Sequence, residues 1–77
     1  MSKKCYEFLK VMYQLAGEST LPFTEYLNVF IEKLKMSTYD VLCVYGILLE
    51  KDYIKTARQD RIFLTGKALK KLNIDIA

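Results

Sequence analysis

Histidine is absent from this 77-residue sequence. It is the side chain most often used as a general base and is also a common metal ligand, so its absence counts against an enzyme or a zinc site. The three glycines are too scattered for a phosphate-binding loop. Carboxylate pairs such as Glu50 with Asp52 are expected to be surface charges, because so short a chain encloses no cleft. The sequence therefore predicts a protein that is not an enzyme and uses no cofactor or metal.

Cysteine and long apolar runs are also scarce. Cys5 and Cys43 lack the Cys-x-x-Cys spacing of zinc and redox motifs, so we expect two reduced thiols. The longest apolar run, residues 41–49, is too short to cross a bilayer. The N-terminus has no apolar stretch of the kind that a secretory signal needs. We expect a cytoplasmic protein without a membrane segment.

Apolar residues make up 52% of the chain and include six Tyr and four Phe, enough to fill one compact core. The length predicts a single domain over residues 1–77, with its core at about 5–72. The net charge of +3 is unevenly placed, because residues 5–32 hold one Lys against four Glu, whereas residues 55–71 hold six basic side chains against one Asp. Such a basic pole favours a negatively charged partner, although a solvated lysine-rich surface is the ordinary alternative.

Hydrophobic spacing of three and four predicts three helices in the first two thirds of the chain. The first covers residues 4–16, and residues 21–23 follow as a short extended link before the second helix. The second helix runs from about Thr24, as its N-cap, to Leu34. The third helix runs from Thr38 to about Lys51, with Ser37 as the N-cap.

After Asp52 the hydrophobic period changes to two. Residues 53–56 and 61–64 are predicted strands, and the polar residues 57–60 form the turn of a hairpin. Thr65 caps a last helix over residues 66–72. The predicted fold class is α+β, mainly α, with three helices, a two-stranded hairpin and a short C-terminal helix.

This order resembles the winged helix-turn-helix families of bacteria, archaea and phages. Residues 34–41 look like the short turn and the Ser-capped recognition helix, residues 48–54 like the entry into the wing, and residues 62–65 like the exit strand. Three positions depart from the usual pattern: Lys35 and Asp52 stand where these families often have Gly, and the exit motif commonly has its Gly two residues later than Gly66. The resemblance implies a winged-helix fold.

The resemblance also implies a small DNA-binding transcriptional regulator, with its third helix in the major groove and its hairpin on the DNA backbone. A homodimer on double-stranded DNA is expected, because a symmetric pair strengthens operator binding. The third helix has no Arg, Lys, Asn or Gln before Lys51, so it is poorly equipped to read bases. The predicted DNA-binding residues are Lys33, Lys35, Ser37, Thr38, Tyr39, Lys55, Arg58, Gln59 and Arg61.

A second interpretation is a winged helix used for protein–protein interaction or dimerisation, without sequence-specific DNA binding. The side of the third helix opposite its predicted core carries Leu42, Cys43 and Ile47. An exposed apolar patch of this kind more often marks a protein interface than a base-reading surface. The plain alternative for Tyr39 and Cys43 is packing against another part of the chain or a partner subunit. The sequence leaves the choice between DNA and a protein partner open.

Overall fold

A computed structural model describes residues 1–73 of the chain. Over this range the predicted class, α+β and mainly helical, is confirmed. The elements are α1 (Lys3–Ala16), β1 (Leu21–Pro22), α2 (Phe23–Leu34), α3 (Thr38–Glu50), β2 (Ile54–Thr56), β3 (Arg61–Leu64) and α4 (Gly66–Lys71). The predicted bounds of the helices and strands differ from these by one residue at most. Residues 74–77, which the sequence assigns to a short tail, lie outside the described range.

Hydroxyl side chains cap three of the four helices. The oxygens of Ser2, Ser37 and Thr65 each accept a hydrogen bond from the backbone amide three residues later, at 3.1 to 3.3 Å. Each bond satisfies an amide of the first turn that has no partner inside the helix. The predicted caps Ser37 and Thr65 are confirmed.

The start of α2 differs from the prediction, and Thr24 is not its N-cap. The helix begins one residue earlier, at Phe23, and the cap residue Pro22 offers no side-chain hydrogen bond. The Thr24 amide donates instead to Oδ2 of Asp60 at 2.6 Å, and the Phe23 amide donates to the Asp60 carbonyl at 2.9 Å. A residue distant in the sequence therefore caps this helix.

The sheet has three strands where the sequence predicted two. β1 pairs antiparallel with β3, with Leu21 opposite Ile62, and the strand order is β1-β3-β2. The predicted extended link at residues 21–23 thus contributes an edge strand. Pro22 is tolerated there because one side of an edge strand needs no backbone donor.

The core lies between the helices and the inner face of the sheet. Phe8 and Phe30 are fully buried, and their rings stack with centroids 4.3 Å apart and planes 8° apart. Phe23 packs against both rings, at 6.3 and 5.9 Å. The other side chains that are almost completely buried are Leu9, Met12, Leu21, Leu34, Val41, Leu48, Ile54 and Ile62. Burying a large apolar side chain contributes roughly 1.5 to 3 kcal/mol, so this cluster holds the helices on the sheet.

Candidate functional site

The outer side of α3 is apolar. Val41, Val44 and Leu48 are buried, as their spacing predicts, and they turn the opposite side of the helix to the surface. We name the exposed residues of that opposite side the apolar strip; it consists of Tyr39, Leu42, Cys43, Gly46 and Ile47. Tyr39 is 74% exposed, Leu42 44% and Ile47 42%. Packing of Tyr39 and Cys43 against another part of the chain is thereby ruled out within the described residues.

The charged side chains of α3 are both acidic. Asp40 lies in its first turn and Glu50 at its end, and both are exposed. The helix has no basic residue, so it offers no cation to a phosphate and none of the amide or guanidinium groups that usually read bases.

The two polar groups of the apolar strip interact with each other. A hydrogen bond between the side chains of Tyr39 and Cys43, one helical turn apart, raises the pKa of Tyr39 above its usual value.

The turn between β2 and β3 has a defined backbone shape. Gln59 and Asp60 have φ values of 56° and 63°, both left-handed. The Arg61 amide donates to the Arg58 carbonyl at 3.1 Å, and the Ala57 amide donates to the Arg61 carbonyl at 2.6 Å. Two consecutive left-handed residues match the natural twist of a hairpin. Arg58 and Gln59 are exposed at its tip.

This turn is held beside the middle of α3. Asp60 binds the first amides of α2, and the ring of Phe23, the first residue of α2, stacks on Tyr45 of α3 with centroids 4.1 Å apart. Burial, and then the nearby charge of Asp60, raises the pKa of Tyr45. The hairpin turn, the start of α2 and the middle of α3 therefore meet at one place.

Besides Arg58 at the hairpin turn, two basic residues lie at the C-terminal end of α2. Lys33 is in the last turn, and Lys35 is the C-cap with φ 54° and ψ 48°. At 1.5 Å per residue, Lys35 is roughly 16 Å from Thr24, which contacts the hairpin turn. The first two turns of α3 begin three residues after Lys35 and end near Tyr45. The predicted residues Ser37, which is the N-cap, and Thr38 and Tyr39, in the first turn, are all exposed.

The remaining two predicted residues lie elsewhere, on the outer face of the sheet. Lys55 is exposed opposite Phe63 in the strand register. Arg61 is half-buried, and its guanidinium is occupied: Nε donates to Oγ1 of Thr20 at 2.7 Å, and Nη2 donates to the Thr20 carbonyl at 3.2 Å. The structure therefore gives Arg61 a role inside the fold, which its place in the sequence does not reveal.

Most of the predicted basic side chains are free of ion pairs. Within residues 1–73 the one salt bridge joins Lys4 and Glu7, at 3.7 Å. Lys33, Lys35 and Arg58 are all exposed, so their charges remain open to an anionic partner.

Two further kinds of site are not seen in the described range. No three His, Cys, Asp or Glu side chains of residues 1–73 lie close enough together to hold a metal ion. None of the helices in this part of the chain is long and apolar enough to span a membrane.

Comparison of the chain with protein-family models, with curated proteins and with solved structures finds no match in any of the three.

Proposed function

We propose that the chain is a winged-helix domain that binds duplex DNA, mainly through the DNA backbone, and acts as a small transcriptional regulator. Three helices followed by a hairpin is the order that this fold requires. The hairpin between β2 and β3 is the wing, and α3 occupies the position of the recognition helix.

One observation supports this proposal most directly: Asp60 binds the start of α2 and so holds the hairpin turn beside the middle of α3. It places the exposed Arg58 and Gln59 near Tyr45, at the end of the first two turns of α3. Lys33 and Lys35 lie near the start of those two turns. The exposed first two turns of α3, whose one charged side chain is Asp40, thus have basic groups at both ends. This arrangement suits a duplex, whose phosphates lie on both sides of each groove.

The bound state follows from the chemistry of these groups. Lys33, Lys35 and Arg58 neutralise phosphates and release counterions, which supplies the affinity. Thr38 donates a hydrogen bond from its hydroxyl at the start of α3. Since α3 lacks the side chains that read guanine and adenine, we expect little preference among DNA sequences.

Fluorescence anisotropy of a labelled duplex, titrated with protein at several salt concentrations, tests the proposal. Three phosphate contacts predict that log K falls against log salt with a slope of about −2.7. The double variant Lys35→Ala, Arg58→Ala removes two contacts and should reduce the steepness of that slope by about 1.8. Lys71→Ala, which removes an exposed charge from α4, is the matched control and should leave the slope unchanged. Absence of binding at low salt contradicts the proposal, as does an unchanged slope in the double variant.

A further inference from the structure

We propose that the apolar strip of α3 is a self-association surface, on which the α3 of a second copy of this chain packs antiparallel. The strip is the largest group of exposed apolar side chains on any one helix of residues 1–73. Leaving such a group in water is unfavourable, and exposed apolar patches mark protein interfaces more often than base-reading surfaces. The inference does not depend on DNA binding.

Gly46 is the first indication of a partner helix. It lies in the interior of α3, where glycine is less stable than alanine by roughly 0.5 to 1 kcal/mol. A Cβ at this position would meet no atom of the chain within 4 Å, and the φ of Gly46 is not left-handed. Neither packing nor backbone geometry within the described residues therefore requires glycine. Glycine does allow another backbone to approach closely, and a partner helix supplies one.

The strip is also complementary to itself. Tyr39 is its largest and most exposed side chain, and Gly46, two turns later on the same side, has no side chain at all. A two-fold axis midway between them places the Tyr39 of each copy over the Gly46 of the other. The same axis places Leu42 opposite Cys43. A two-fold interface needs this kind of self-complementary patch.

Charge favours the antiparallel direction. Glu50, at the end of α3, then lies over the start of the other α3, which Lys35 precedes in the chain. Both side chains are exposed, and neither forms a salt bridge within residues 1–73. A parallel pair would instead bring the Glu50 carboxylates of the two copies together. The helix dipoles also attract when the helices run antiparallel.

The strip covers about two and a half helical turns, so the interface is small and the dimer is expected to be weak and reversible. Tyr39 belongs both to this interface and to the start of α3 that we assign to DNA. Pairing of two copies therefore hides part of the DNA-binding surface. Self-association and binding of α3 to a duplex should compete.

Analytical ultracentrifugation without DNA tests the dimer, from about 10 μM to about 1 mM, the range that suits a small transient interface. We expect the mean mass to rise from monomer towards dimer. Gly46→Leu and Leu42→Lys should each weaken association at least about tenfold, equivalent to about 1.4 kcal/mol. Asn28→Leu adds the same leucine to an exposed position of α2 and should leave association unchanged. Circular dichroism confirms that each variant is folded.

Crosslinking tests whether the apolar strip forms the interface. Because the axis passes between Leu42 and Cys43, the two Cys43 thiols lie near each other, whereas Cys5 is buried. A short bismaleimide should join two copies of the parent chain, fewer copies of Gly46→Leu, and none of Cys43→Ser. A parent chain that stays monomeric at about 1 mM overturns the proposal, and so does a dimer that withstands both Gly46→Leu and Leu42→Lys. A dimer without a Cys43 crosslink overturns the assignment of the interface to the apolar strip. Each of these results is independent of whether the chain binds DNA.

Discussion

The carboxylate of Asp60 accepts a hydrogen bond from the backbone amide of Thr24, with 2.6 Å between Oδ2 and N. The two residues are 36 positions apart in the chain, so the bond ties the hairpin turn to the start of α2. It satisfies an amide of the first turn that no local side chain caps. It also keeps a carboxylate near Tyr45, in the middle of α3. One residue thus positions the turn on which the proposed DNA contact depends.

The first prediction concerns pH. Hydrogen bonding by the Thr24 side chain, and then by its amide, lowers the pKa of Asp60 below its usual 3.8. The folded state therefore holds this proton less tightly than the unfolded chain does, so the bond adds stability above about pH 4 and loses it as the pH falls through the lowered pKa. Asp60→Asn should be less stable than the parent at pH 7, and its stability should fall less steeply below pH 4. Urea unfolding across this pH range measures both effects.

Glu18→Gln is the matched control for this experiment, because it neutralises an exposed carboxylate outside the hairpin. It should follow the pH profile of the parent. If Asp60→Asn follows it as well, the carboxylate does not stabilise the fold through Thr24.

The second prediction concerns Lys35, which holds a left-handed conformation where winged-helix chains often have glycine. Glycine adopts this conformation without the strain that a Cβ causes. Lys35→Gly should therefore raise the free energy of unfolding by roughly 0.5 to 1 kcal/mol while it weakens duplex binding by removing a charge. Urea unfolding and anisotropy separate the two effects. Lys35→Asn, which tolerates the same conformation and is uncharged, should lose the same affinity with a smaller gain in stability; a loss of stability in Lys35→Gly would contradict the assigned backbone.

The third prediction separates two arginines of the hairpin. Arg61 donates two hydrogen bonds to Thr20, so Arg61→Ala should lower the free energy of unfolding by about 1.5 kcal/mol, at the low end for charged donors because the site is partly exposed. Arg58→Ala should leave stability unchanged, because Arg58 is exposed at the turn, and should reduce duplex affinity and the salt slope. Thermal unfolding and salt-dependent anisotropy of the two variants measure this contrast. If Arg61→Ala and Arg58→Ala lose the same duplex affinity and neither variant loses stability, Arg61 acts at the DNA and not within the fold.

The fourth prediction concerns the stacked pair of Phe8 and Phe30 in the core. Phe8→Ala leaves a cavity and should cost about 3 to 5 kcal/mol, much of the stability that a domain of this size has. Phe8→Leu fills most of that space and should cost markedly less. Urea unfolding of both variants checks the order. Cooperative unfolding of Phe8→Ala within about 1 kcal/mol of the parent would show that this pair is not central to the core.

Features that depend on neighbouring residues were predictable from the sequence. Ser37 and Thr65 cap helices through amides three residues away, and the strands on either side of residues 57–60 alternate in hydrophobicity. The buried side of α3 follows from helical spacing for the same reason. The apolar strip was predictable too, because the side opposite a correctly assigned core must face outward.

Features that depend on distant partners were not predictable. The assignment of Thr24 as an N-cap was wrong because its amide bonds to Asp60, and β1 was taken for a link because its pairing partner is β3. Arg61 was grouped with the turn residues because Thr20 lies 41 positions away. No local pattern records such contacts.

The sequence by itself determined where the four helices and the two hairpin strands lie, which side of α3 is buried and where the basic residues are concentrated, because these depend on composition and on the periods of helix and strand. Only the tertiary structure decided that, of the basic side chains predicted to bind DNA, Arg61 is hydrogen-bonded within the fold while Arg58 remains free. It alone placed the hairpin turn beside α3. The physical reason is that a hydrogen bond or a ring stack requires two groups to meet in space, and that meeting depends on how the elements pack together.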